Sequence, residues 1–211
     1  MNNNGKIFLN SIYAGLFIGI AGTVFLATQN PLLGPFLFAL GLLVIICYGF
    51  KLFTGAVGYW ADQSEKNIIT YAKTLLLIWL GNLAGCFTVG ALIRQSRVYP
   101  LFAGRLRLLC AIKLNDNPAS LLILAFFCGI LMYVAVETFR KTELPGFCRT
   151  VMVFLCVSVF ILSGFEHSIA GMYYFAANGS WDWPALQCIL LMTLGNALGG
   201  MLIPFGNKFR Q

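Results

Sequence analysis

From Ile7 to Thr28 the chain runs the width of a membrane without one charged residue, and five further apolar runs follow. A spanning helix needs about 20 mainly apolar residues. Only 10% of the 211 residues are charged and 59% are hydrophobic, where a soluble domain carries roughly a quarter charged residues. Such a chain has too few polar groups to cover its own surface, so lipid must be its solvent. Met1–Gly5 is polar and no small-residue cleavage site follows the first run, so that run is read as a retained span, not a signal peptide.

The spans are expected at Ile7 to Thr28, Leu32 to Phe50, Ile68 to Ile93, Ala119 to Phe139, Thr150 to Ala177 and Pro184 to Phe205. The second run stops at Lys51-Leu52-Phe53-Thr54-Gly55, and the fifth is broken at Ser163-Gly164-Phe165-Glu166-His167-Ser168. Trp60 to Asn67 and Arg140 to Arg149 read as polar loops. The mixed segment from Arg94 to Asn117 reads as interfacial, with a partial re-entry into the membrane.

Gly81-Asn82-Leu83-Ala84-Gly85 recurs as Gly195-Asn196-Ala197-Leu198-Gly199, 114 residues later. The same shift carries Gly15 onto Gly129 and Leu52-Phe53-Thr54 onto Glu166-His167-Ser168. One transmembrane domain, 1–211, is therefore expected to hold two repeats, approximately 7–93 and 119–205, joined by the semi-polar segment 94–118. Three spans per half is an odd number, so the halves enter the membrane from opposite sides. The fold class is all-α: six transmembrane helices in two inverted repeats, with helices 2 and 5 broken. In such folds broken helices meet near the midplane and frame the substrate site, which places Thr54 beside His167. With the amino terminus inside, eight basic residues face the cytoplasm and five the other side, so both termini are expected to be cytoplasmic.

The net charge of +7 is assigned to span ends that meet anionic headgroups, so lipid and not nucleic acid is the expected partner. The seven cysteines are scattered and form no CxxC. They indicate packing rather than disulfides, a metal site or a cofactor.

His167 is the sole histidine, and Glu166 precedes it inside an apolar span. Ionisable groups at that depth are costly and mark function, and imidazole exchanges protons near neutral pH. The Glu166 carboxylate is expected to brace the broken loop by accepting backbone N–H groups. Thr54 and its repeat partner Ser168 offer hydroxyls. Asn82 and Asn196 are each expected to hydrogen-bond a broken loop of the other half, and Asn196 in particular to hold the loop bearing His167. By spacing alone Lys113 is an interfacial anchor.

Leu52-Phe53-Thr54-Gly55, Gly164-Phe165-Glu166-His167-Ser168-Ile169-Ala170 with Met172-Tyr173, and Gly195-Asn196 through Gly199-Gly200 together resemble motifs of the formate/nitrite transporter family, over nearly the whole chain. The resemblance implies an aquaporin-like protomer, assembled as a homopentamer with one pore per protomer, in a plasma membrane such as the bacterial inner membrane. It implies a polar pore centre of Thr54, His167 and Asn196, with Lys113 facing the histidine and Glu166 beside it. It also implies apolar constrictions at Phe38, Leu42 and Phe160, and a gating loop carrying Leu52 and Phe53. Against the family pattern, Gly129 stands where an asparagine is common, Met132 where a smaller lining residue is usual, and Gly171 in place of another asparagine. Lys51 adds a positive charge beside the gating loop.

The implied function is a pH-dependent channel for small monovalent anions of weak acids (formate, nitrite or hydrosulphide), with protonation near Lys113 and His167. The alternative is an aquaporin-like pore for water, glycerol or another small neutral solute, although the only Asn-Pro pairs, at 30–31 and 117–118, lie at turns. An enzyme is not expected, since nothing supplies Glu166-His167 with a second histidine, a thiolate cluster or a nucleotide motif.

Overall fold

A computed structural model describes residues 2–210 as all-helical. Four helices are long and apolar enough to cross a membrane: α1 (Asn3–Ala27), α4 (Ile68–Arg94), α6 (Pro118–Arg140) and α9 (Trp183–Asn207). The two interrupted runs each split in two. Leu33–Cys47 forms α2 and Phe53–Ala56 forms α3, which continues as a 3-10 turn through Trp60. Gly146–Leu162 forms α7 and Ser168–Asn178 forms α8. Helix therefore reaches into both segments read as loops, at Trp60 and at Gly146. The connection 94–118 holds a short 3-10 turn and a 13-residue helix, α5 (Ala103–Asn115).

Local chemistry explains the helix starts. Asn117 and Asp182 cap α6 and α9 by accepting from Ser120 N (2.9 Å) and Ala185 N (3.0 Å), and Pro118 and Pro184 stand in the first turn, where no amide partner is lost. The end of α1 is closed from a distance. The Arg105 guanidinium on α5 donates to the carbonyls of Phe25 (2.9 Å) and Thr28 (2.8 Å) and lies over the Phe25 ring.

Helix α1 packs along α4, α6 along α9, and α2 against α1 and α7. The first contact needs Gly15 and the second Gly129. A Cβ at Gly15 would fall on the Asn82 carbonyl, and one at Gly129 on the Asn196 carbonyl. Apolar side chains are no more soluble in each other than in lipid, so close backbone approach of this kind is what holds helices together in a membrane.

The breaks are built alike. Gly49 (φ 69°) and Gly164 (φ 68°) turn the chain out of α2 and α7 in the left-handed region, where glycine has no steric cost. Each sits in a Schellman turn. Phe50 N donates to Ile45 O and Gly49 N to Ile46 O, while Phe165 N donates to Phe160 O and Gly164 N to Ile161 O. These matching features lie 115 residues apart, whereas Gly15 and Gly129, like Asn82 and Asn196, lie 114 apart. The second break is thus displaced by one residue, and Ser168 matches Phe53 rather than Thr54.

Candidate functional site

Unwound backbone inside a membrane must find partners in protein, and here asparagines supply them. Asn82 Oδ1 accepts from Phe53 N (2.9 Å), and its Nδ2 donates to the carbonyls of Lys51 and Ser11 (both 2.8 Å). Asn196 Oδ1 accepts from Ser168 N (2.9 Å), and its Nδ2 donates to the carbonyls of Glu166 and Ala125 (both 2.8 Å). Each asparagine holds the broken loop of its own half, not of the other. Asn196 does hold the loop bearing His167. Both of its amide hydrogens are committed to backbone, however, so it offers no free donor to a pore and braces the site from behind.

With the loops held, Thr54 and His167 meet. The Thr54 Oγ1 lies 2.9 Å from His167 Nε2, and both residues are buried. Nδ1 of the imidazole accepts from Ala170 N (3.1 Å) at the start of α8. An acceptor Nδ1 leaves the proton on Nε2, so His167 donates to Thr54, and the hydroxyl hydrogen of Thr54 remains for a third group. The Ser168 hydroxyl is buried without a partner among the described residues.

Phenylalanines cover the pair. The Phe160 ring stacks on the imidazole (5.7 Å between centroids, 21° between planes), and Phe38 meets Phe160 edge-on at 6.2 Å. Leu42, Leu52 and Met132 are also buried. Leu42 and Leu52 line a cavity of about 500 Å³ that extends to Lys51, Tyr59 and Arg140. Phe53 does not join them. It lines a separate apolar cavity with Trp79 and Leu190, because successive side chains entering a helix point in different directions.

Lys113, on α5, is buried rather than snorkelling, at 7% exposure. Its Nζ donates to both carboxylate oxygens of Glu166, at 2.7 and 2.6 Å. The carboxylate therefore braces α5 and, among the described residues, accepts from no backbone N–H. The bracing at the backbone runs instead through Glu166 N, which donates to Leu124 O (3.3 Å), and Glu166 O, held by Asn196. The Tyr174 ring lies 5.8 Å from the ammonium. This neighbour went unremarked in the sequence, although its position on the helix after the His167 break marks it.

The sequence profile described as "Formate/nitrite transporter" matches residues 2–206. The chain belongs to the formate/nitrite transporter family. It is 28% identical over 222 aligned positions to the nitrite transporter NirC of Escherichia coli (strain K12), covering 94% of this chain and 81% of the relative. It is 26% identical over 242 positions to the formate channel FocB of the same organism, covering 94% and 84%. In fold it superposes on a pentameric formate channel with formate bound (TM-score 0.86, 22% identity, 98% of this chain and 96% of the other). An FNT family ion channel is similar at 0.83, with 23% identity and coverage of 100% and 92%. Family membership and the four long apolar helices make this family member an integral membrane protein, of a family of transporters and channels rather than enzymes.

Proposed function

We propose that this chain is a channel for small monovalent anions of weak acids, with formate and nitrite as the first candidates and hydrosulphide as a third. The names of its relatives support the substrate class. The observation that carries the reading is the Thr54–His167 hydrogen bond set under the Phe38–Phe160 pair.

A bare anion cannot pass an apolar ring cheaply, because stripping its water is expensive. A weak acid can take up a proton and cross as a neutral molecule. The groups around the ring suit that sequence of events. Lys113 draws the anion towards the ring, tempered by Glu166, which neutralises part of its field. At the centre, His167 polarises the Thr54 hydroxyl, and the free hydroxyl hydrogen is presented to the passing oxygen atom. The Nε2 proton is already given to Thr54 and Nδ1 is occupied by Ala170 N–H. His167 therefore acts as a hydrogen-bond partner, and the proton that neutralises the substrate comes from water in the vestibule. Flux then rises as pH falls.

In this reading the protomer is six spans in two inverted three-helix repeats, aquaporin-like, with both termini cytoplasmic and five copies assembled in the bacterial inner membrane. The near-identical turns at Gly49 and Gly164 and the matching asparagine clamps support the repeat. Purified protein in liposomes, offered formate, nitrite, hydrosulphide and lactate across a pH series, tests the proposal. Saturable uptake of one or more anions, faster at low pH, is expected. High water or glycerol permeability with no anion uptake contradicts it.

A further inference from the structure

The 500 Å³ cavity below Leu42 and Leu52 carries two cations, Lys51 and Arg140. Both are exposed. Neither is in an ion pair; among the described residues the one such pair is Lys113–Glu166. The nearest carboxylate to Arg140 along α6, Glu137, is not among the cavity-lining residues. One of its oxygens is taken by the Tyr59 hydroxyl at 2.7 Å. Arg140 lies over the Tyr59 ring, 4.5 Å from its centroid, and Glu137, one turn back on α6 and bonded to the same tyrosine, offsets part of its charge.

Lys51 is held only by its backbone. Its N–H donates to Asn10 O (3.2 Å) and its carbonyl accepts from Asn82, while its ammonium has no ion-pair partner among the described residues. The two ends of the passage thus differ. The cation at one end, Lys113, is buried and paired, whereas those at the other are exposed and in no ion pair among the described residues, Arg140 partly offset by Glu137 and Lys51 by no carboxylate.

Resting on the anion pathway proposed above, we infer that Lys51 and Arg140 form a capture site for small monovalent carboxylates and oxyanions at the mouth on the α6 carboxyl-terminal side. Its role is to raise the local anion concentration ahead of the Leu42–Leu52 constriction, a role no other cation lining this cavity fills. Because the cations are exposed, their field is screened by salt. Capture is therefore strong at low ionic strength and fades at high.

The test is formate uptake by proteoliposomes of wild type, Lys51→Gln, Arg140→Gln, the double variant and Lys51→Arg. It is run at ionic strengths of about 0.01 M and about 1 M, where the Debye lengths are roughly 30 and 3 Å. Each single neutral variant is expected to raise the half-saturating formate concentration roughly threefold at low ionic strength, and the double variant roughly tenfold. All variants converge on wild type at high ionic strength, and Lys51→Arg matches wild type throughout. Half-saturation that stays at the wild-type value in the neutral variants overturns the capture site while leaving the channel reading in place. So does a shift in Lys51→Arg as large as in Lys51→Gln, or one equal at both ionic strengths. Uptake by wild type no faster than by empty vesicles overturns both. Elution of each variant from size-exclusion chromatography at the wild-type position separates lost capture from lost folding.

Discussion

Thr54 and His167 are separated by 113 residues of chain and by 2.9 Å in space. Neither lies on a long helix. Thr54 stands in the first turn of α3 and His167 caps the start of α8, each a few residues past a left-handed glycine, and each turn is held by an asparagine of the next long helix. What brings hydroxyl and imidazole together is therefore the fixing of two unwound loops, and the consequences follow from how each is fixed.

Removing the Thr54 hydroxyl leaves His167 Nε2–H without its acceptor in a dry site. Thr54→Val keeps the shape and loses the bond, and is expected to slow anion flux roughly tenfold, the equivalent of about 1.4 kcal/mol. Thr54→Ser is expected to retain most of the flux. Initial uptake rates in proteoliposomes distinguish the two.

Asn196→Ala orphans Ser168 N and the carbonyl of Glu166 on the unwound loop, while the Ala125 carbonyl keeps its place in the α6 ladder. Each buried polar group left without a partner costs about 1–3 kcal/mol. Thermal unfolding in detergent is expected to shift down by several degrees, with Asn82→Ala behaving alike. Asn196→Asp keeps the acceptor and loses both donors, so it does not rescue.

The Lys113–Glu166 pair is buried, so breaking it from one side strands a charge. Lys113→Met is expected to destabilise by about 3–5 kcal/mol. Adding Glu166→Gln removes the stranded carboxylate and should restore most of the stability. Transport is expected to stay low, because in the proposed pathway Lys113 is the cation that draws the anion. Chemical denaturation followed by uptake assays reads both effects.

Gly129 lies where the family pattern favours asparagine, yet a Cβ there meets the Asn196 carbonyl. Gly129→Ala is expected to force α6 and α9 apart and abolish monodisperse protein on size exclusion, and Gly129→Asn to do the same. A well-behaved Gly129→Asn protein would show that the two helices have room to spare.

The fold was largely legible because its signals are local. Long apolar runs mark the long helices, Asn117-Pro118 and Asp182-Trp183-Pro184 mark the starts of α6 and α9, and an ionisable Glu166-His167 in an apolar stretch marks a break. Relations across space were less so. Nothing near Lys113 in sequence announces Glu166, and Arg105 closes α1 from 77 residues away. A one-residue displacement of the second break is invisible to a repeat read from glycines and asparagines on the long helices, which pairs Ser168 with Thr54 where the loops pair it with Phe53. The residue type of Asn196 points to its hold on the loop bearing His167, and the resemblance alone places it at the polar centre. Only its three partners reveal that its donors are already taken.

The claim on which the rest depends is that the His167 imidazole faces the path of the substrate. Formate and nitrite uptake by proteoliposomes of wild type and His167→Phe, each across a pH series, tests it most directly. The account predicts that the variant assembles normally and loses most of the flux at every pH. Flux and pH dependence equal to wild type would contradict it.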